Sequence, residues 1–339
     1  MPTISSTEFQ LPERMRAAVL DRFGGAEAVH VATVPVPELG DDEVLIRVGA
    51  AGVGAWDPEL AEGAFGGDRS RSPLVLGSDG AGTVVARGSN AQRFRVGDRV
   101  YAWGFMNPKG GFFAEYAVIS EEEVEAIPDG MSIDEAGALA VDGLTALAGI
   151  DELELAATQS LMILGASGGV GHLALQLAKR LGVRVLAVAS GQDGVEFVRG
   201  LGAAAAVDGR TTDVAAAVHA FAPDGLDAAL VLAGVASVEP LALVRQGGRI
   251  VYPNGVEPAP DDIPGVSVRP FDGYSGHEAL ERLNQRIAMG PFRVAIAREY
   301  SLDQVPQALR DVTGHHLGKL AVAVDGEKLA AKSESGSGA

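Results

Sequence analysis

Leu161-Met162-Ile163-Leu164-Gly165-Ala166-Ser167-Gly168-Gly169-Val170-Gly171 is the stretch on which the fold of this 339-residue chain turns. Four apolar residues predict a buried strand, and Leu173, Leu177 and Leu181 then recur at helical spacing. Between them the glycines make a tight turn. Strand, glycine turn and helix in direct succession let the backbone approach a pyrophosphate closely. The helix N-terminus adds free N–H groups and a partial positive charge suited to phosphate. Gly165, Ala166, Ser167, Gly168, Gly169 and Val170 are therefore candidate dinucleotide-binding positions. Ala166 stands where the G-x-G-x-x-G pattern begins, with Gly168 and Gly171 at its later positions. A bare tight turn is the alternative, and the surroundings argue against it.

Those surroundings alternate between strand and helix. Ser132 and Glu135 form a capping-box pattern that opens a helix. Residues 183–188, 204–207, 228–232 and 249–252 read as strands. Residues 195–201 read as a helix ending at Gly202, a plausible C′ glycine. The segments between 207 and 228 and between 232 and 249 have room for helices, and a further helix is expected at 277–289. Such alternation implies an α/β unit with a doubly wound parallel sheet, covered on both faces. The second strand ends in Val188-Ala189-Ser190-Gly191, without the acid that would bond the ribose hydroxyls of NAD. Ser190 leaves room for a 2′-phosphate, so the expected cofactor is NADPH. NADH stays open, because Asp193 opposes a phosphate and Arg199 is the nearest downstream base.

Upstream the texture differs. Residues 15–20, 44–48, 83–87 and 99–102 are short apolar or β-branched runs punctuated by Gly and Pro, which suits a β-barrel or sandwich. Strand texture returns at 293–300 and 319–324, around a short helix at 302–311. The organisation expected is a catalytic unit over residues 1–132, rejoined by 290–326, and a dinucleotide-binding unit over 133–289. Residues 1–14 read as a loose leader and 327–339 as a flexible tail.

Bulk properties narrow the function. The net charge of -18 argues against nucleic acid and anionic membrane surfaces. The chain has no cysteine, which excludes disulfides, thiolate nucleophiles and any Cys-ligated zinc. No apolar run is long enough to span a membrane, and no signal-peptide pattern opens the chain. A cytoplasmic enzyme is the expectation.

Further motifs run along the chain: Met15-Arg16-Ala17-Ala18-Val19, Gly80-Ala81-Gly82-Thr83-Val84 and Val96-Gly97-Asp98-Arg99-Val100. Gly111-Phe112-Phe113-Ala114-Glu115-Tyr116, Gly143-Leu144-Thr145-Ala146, Gly247-Gly248-Arg249-Ile250-Val251 and Gly318-Lys319 extend them to nearly its whole length. Together they resemble the medium-chain dehydrogenase/reductase superfamily, in its zinc-free, quinone-oxidoreductase-like branch. The resemblance implies a GroES-like β-barrel joined to a Rossmann sheet, with the nicotinamide in the cleft between them, and a homodimer. It places Thr145, Gly234, Asn254 and Lys319 at the cofactor and Tyr252 beside the nicotinamide.

Departures from the family are equally informative. Zinc-dependent members carry Cys where this chain reads Gly52-Val53-Gly54-Ala55-Trp56-Asp57, and Gly-His-Glu where it reads Gly77-Ser78-Asp79. No metal site is expected. Without zinc to hold an alkoxide, alcohol oxidation gives way to hydride delivery onto an electrophile, a quinone or an α,β-unsaturated carbonyl. Related quinone reductases also carry an Asn and a Tyr where this chain has Gly54 and Glu59.

Asp57 is the leading polar candidate for catalysis. The competing role is an N-cap, since Asp57-Pro58 is a good helix start. Trp56 is a substrate wall or core. Ser78 and Asp79 line the pocket or merely a turn, and Tyr116 and Tyr252 donate to a carbonyl or simply pack. His172 reads as packing. His315-His316 does not make a metal pair, because adjacent side chains diverge. Three activities follow: a quinone or enone reductase, an enoyl-type reductase of one metabolite, or an NADPH-binding sensor without turnover.

Overall fold

The strand Ser160–Leu164 lies inside a six-stranded parallel sheet. The strand order is Ala205–Asp208, Arg184–Ala189, Ser160–Leu164, Leu226–Val231, Val244–Pro253 and Ser267–Phe271. Order reverses between Ser160–Leu164 and Leu226–Val231, the switch point at whose carboxyl end ligands bind in open α/β sheets. The computed structural model describes residues 11–64, 73–234 and 239–324.

Alternation along Ser160–Leu164 builds both layers of the core. Leu161 and Ile163 face a cluster supplied by the helices Ala140–Glu152, Gly169–Arg180, Gly191–Leu201 and His277–Ala288. Met162 points the other way, onto Val218 of the helix Val214–Phe221. The Ser132–Glu135 capping box is present, and Gly202 ends its helix at φ 99°. One expectation fails. Between Leu226–Val231 and Val244–Pro253 the described residues hold only a 3₁₀ turn, Leu241–Leu243, entered through Pro240, and the strand resumes directly after it.

The second unit is built on Glu43–Val53, an eleven-residue strand. It pairs with Asp79–Arg87, Tyr116–Ser120 and Lys319–Ala323. Register shifts at Leu45/Ile46 and Val48/Ala50 bend it, as bulges do. Leu320 pairs with Val53, which carries Lys319 to the turn at Gly54. Strand Ile296–Ser301 extends this sheet beside Lys319–Ala323. A three-stranded sheet of Val29–Pro35, Arg14–Leu20 and Leu74–Val75 completes the unit. The leader ends sooner than expected, since Arg14 already pairs with Pro35. Residues 1–10 of the leader, residues 65–72 and the 327–339 tail lie outside the described residues. The α/β expectation of a doubly wound sheet beside a β-barrel unit is met. No described helix is long and apolar enough to cross a membrane.

Candidate active site and cofactor cradle

The glycine turn takes its shape from steric demands at two positions. Gly165 has φ 82°, a conformation that side chains disfavour. A Cβ on Gly171 would stand 2.2 Å from the Gly165 carbonyl oxygen, so only glycine lets the helix Gly169–Arg180 pack this tightly on its strand. Gly168 is the N-cap and offers no side chain to the first helical N–H groups, which leaves them for a ligand. A Cβ at Gly168 would meet nothing nearer than 3.5 Å, so the approach is open.

A cavity of about 420 Å³ adjoins the turn at the strand ends. Gly165, Ser190, Arg210, Ala233 and Gly234 are among its walls. Gly234 is pressed against the backbone, since a Cβ there would lie 2.4 Å from Glu257 O. Ser167 is buried and its hydroxyl accepts a long hydrogen bond from Ser190 N, at 3.4 Å. Arg199 is aimed elsewhere, donating to Ala206 O at 3.1 Å. A base that lines the cavity together with Ser190 is Arg210, which sequence patterns did not single out. It follows the third strand, Ala205–Asp208, which neighbours the second only through sheet order.

Where the barrel meets this cradle, Asp57, Asp79, Asp142 and Lys319 are all buried. The N-cap of the helix Asp57–Glu62 is Trp56 and makes no side-chain cap, so Asp57 is not the cap. Its carboxylate instead folds back to accept from Gly54 N at 2.8 Å and from Ser78 Oγ at 3.3 Å. Ser78 Oγ in turn accepts from Trp56 Nε1 at 2.8 Å. Asp79 Oδ2 accepts from Val141 N at 3.3 Å, while its Oδ1 has no hydrogen-bond partner. Lys319 Nζ lies 3.0 Å from Asp142 Oδ2 and 5.3 Å from the centroid of the Trp56 ring. The approach to Asp142 lacks hydrogen-bond direction, so the attraction there is chiefly Coulombic. Asp142 closes the circle against the glycine turn, 2.1 Å from where a Gly169 Cβ would be.

Three carboxyls around one ammonium leave a buried charge excess, which protons relieve. Burial, opposed by the Gly54 N–H and reinforced by Asp79, pushes Asp57 up to about 7. Burial pushes Asp79 up to about 6 despite Lys319. Burial pulls the Lys319 ammonium down, but Asp142, Asp79 and Asp57 together outweigh it and raise its pKa.

The remaining candidates are dispersed. Thr145 donates to Val141 O at 2.8 Å, one turn back on the helix that carries Asp142. Asn254 is exposed and donates to Asp272 Oδ1 at 2.7 Å. Tyr252 packs with Met162 and Ile250 on the far face of the sheet, apart from the acid cluster. Tyr116 packs with Met15 and Val34, also remote from it. His172 is buried; Ala295 N donates to its Nε2 at 3.1 Å, and Nδ1 lies 2.9 Å from Gly168 O. It is a neutral bridge between the two units, and burial lowers it to about 4. Gly54 explains the missing Asn of related reductases, since a Cβ there would lie 2.2 Å from Cζ2 of Trp56.

Residues 40–129 match the alcohol dehydrogenase GroES-like domain and residues 169–270 the zinc-binding dehydrogenase model. The chain is 30% identical to the chloroplastic NADPH-dependent alkenal/one oxidoreductase of Arabidopsis thaliana, over 94% of this chain and 81% of that one. It is 29% identical to the quinone oxidoreductase of Homo sapiens, over 88% and 94% respectively. Among solved structures, the quinone oxidoreductase of Coxiella burnetii superposes with a TM-score of 0.80 at 25% identity, over 92% of this chain and 99% of that one.

Proposed function

Since the chain belongs to the medium-chain dehydrogenase/reductase superfamily and is an oxidoreductase of Rossmann plus GroES-like architecture, we propose that it is a zinc-independent, NADPH-dependent reductase of quinones or α,β-unsaturated carbonyls. The observation that carries this reading is the buried Trp56–Ser78–Asp57 chain with Lys319 beside it. A catalytic zinc does not fit these residues. The Trp56 indole fills the space over Gly54, and an ammonium already stands beside the three carboxyls. His172 has both ring nitrogens engaged, and the chain offers no thiolate.

The cradle fits a dinucleotide. Gly165 through Val170 would hold the pyrophosphate, Ser190 and Arg210 the adenosine ribose and its 2′-phosphate, and Thr145, Gly234 and Asn254 the nicotinamide half. The bound cofactor supplies a hydride. Trp56 offers a flat wall for a conjugated acceptor. The Lys319 ammonium and the nearby helix N-terminus favour negative charge developing on a carbonyl oxygen. Asp57, raised to about 7, exchanges a proton near neutral pH, and its Oδ1 accepts from Ser78 Oγ, which accepts from the indole N–H. Orientation and exclusion of water provide the rest. Tyr252 has no part in this arrangement. A homodimer through the Rossmann unit, expected from the family, belongs to the same reading.

The test, after chelator treatment, is NADPH oxidation by quinones and enones and NADP+ reduction by simple alcohols. Turnover of the conjugated acceptors alone supports the reading, and chelator-sensitive alcohol oxidation overturns it. The Arabidopsis relative, by name an alkenal/one oxidoreductase, favours the carbon–carbon double bond as the group reduced. A saturated product decides between that and quinone reduction.

A further inference from the structure

His315-His316 lies on the segment that enters the strand Lys319–Ala323. Two contacts dock this segment on the cofactor unit. Gly318 N donates to Ser167 O at 2.8 Å, inside the glycine turn. His315 Nε2 lies 2.9 Å from Asp193 Oδ2, in the first turn of the helix Gly191–Leu201. His316 steadies the segment from behind, with Nδ1 3.0 Å from Gly318 O and Nε2 3.1 Å from Val312 O.

Both partners of the His315–Asp193 pair stand over the Ser190–Gly191 turn. Asp193 Oδ1 lies 2.6 Å, and His315 Cε1 3.8 Å, from where a Gly191 Cβ would be. The other acid at this turn, Asp208, has its hydrogen bonds from within the cofactor unit. Asp208 Oδ1 accepts from Gly191 N and Arg210 N, both at 3.0 Å, and its Oδ2 accepts from Thr211 Oγ1 at 3.1 Å. Asp193 is thus the carboxylate whose charge at this turn depends on a partner from the other unit. The hydrogen bond from His315, followed by that from Gly194 N, holds Asp193 below the usual carboxylate range.

We propose that His315 is a cofactor-specificity residue that neutralises Asp193 and so admits the 2′-phosphate of NADPH beside Ser190 and Arg210. This rests on the NADPH reading above. An unneutralised carboxylate at that turn repels a phosphate and favours a ribose hydroxyl. A hydrogen bond donated by His315 offsets that charge, and removal of His315 restores it in full. Other charged groups lining the same cleft as His315 are Arg298, Arg310 and Asp311, with Tyr300 and His316. Arg298 and Tyr300 bind Asp311, at 2.8 and 2.6 Å, and Arg310 binds Glu27 at 2.9 Å. Asp193 is therefore the carboxylate that His315 answers to.

The experiment is direct binding of NADPH and of NADH, by calorimetry at one fixed pH, to wild type, H315Q, D193N and the double variant. The ratio of the two dissociation constants is the readout. Wild type is expected to prefer NADPH about fivefold more than H315Q does, as one partly screened charge implies. D193N keeps a high NADPH preference, and the double variant matches D193N. An H315Q ratio equal to wild type, or a double variant that fails to return to D193N, overturns the role of His315 alone. A wild type that binds neither dinucleotide, or prefers NADH, overturns the NADPH reading and this inference with it.

Discussion

Replacing Lys319 with methionine removes the cation that faces Asp57, Asp79 and Asp142 while keeping most of the apolar stem. Lys319 is 2% exposed and lies 3.0 Å from Asp142, so solvent cannot replace it. Removing one partner of a buried pair costs about 3–5 kcal/mol, because the other charge is left uncompensated. For a 339-residue chain that corresponds to a melting temperature lower by roughly 4–7 °C. The sign of the pH dependence follows from the carboxyls. Asp57 and Asp79 have pKa values near 7 and 6 against an ordinary 3.8, and losing the ammonium raises them further. A carboxyl raised in the folded state binds its proton more tightly folded than unfolded, so stability falls as pH rises through that range. At pH 8 the K319M protein carries its full penalty. Near pH 5.5 two of the three carboxyls are protonated, and the penalty falls to roughly half or less. Urea unfolding of both proteins at the two pH values measures it. A loss under about 1 kcal/mol at pH 8, the value of an exposed pair, would refute the buried-cluster argument, as would an equal loss at both pH values.

Other changes separate the parts of the site. Gly171→Val drives a side chain into the Gly165 carbonyl oxygen and Ala166 Cα, at 2.2 and 2.7 Å from Cβ, both backbone. Dinucleotide affinity should fall by more than about tenfold and thermal stability with it, while Gly200→Ala, whose Cβ meets nothing within 4 Å, should gain about 0.5–1 kcal/mol. Asp57→Asn removes a group that costs wild type about 4 kcal/mol as pH rises from about 4 to about 7. The variant's stability should therefore vary less with pH than wild type's and exceed it at pH 8; parallel pH–stability curves would contradict the raised Asp57. Tyr252→Phe should leave kcat and KM for NADPH within about twofold of wild type, and a large fall in kcat would return Tyr252 to the active site.

What the sequence made legible was local. The glycine turn announces itself because strand, turn and helix are contiguous, and Ser132–Glu135 and Gly202 mark helix ends by side-chain chemistry alone. The acid cluster gave no comparable signal. Asp57, Asp79, Asp142 and Lys319 come from four elements, joined only when Lys319–Ala323 pairs with Glu43–Val53 and Ala140–Glu152 crosses between units. Asp57-Pro58 reads locally as a cap, and the fold overrules that by turning the carboxylate onto Gly54 N. Arg210 escaped notice because it follows Ser190 by a whole helix and strand, although parallel-sheet order sets their strands side by side. Tyr252 lies on the expected strand, but which of the two faces its side chain takes depends on alternation within the sheet, and it packs against the Met162 cluster.

Hydride transfer without metal is the property most directly open to measurement. NADPH dideuterated at nicotinamide C4, mixed with an enone and the protein, should yield the saturated ketone with deuterium at the β-carbon, at the same rate with and without chelator. An unlabelled product, or a rate abolished by chelation and restored by zinc, would contradict it.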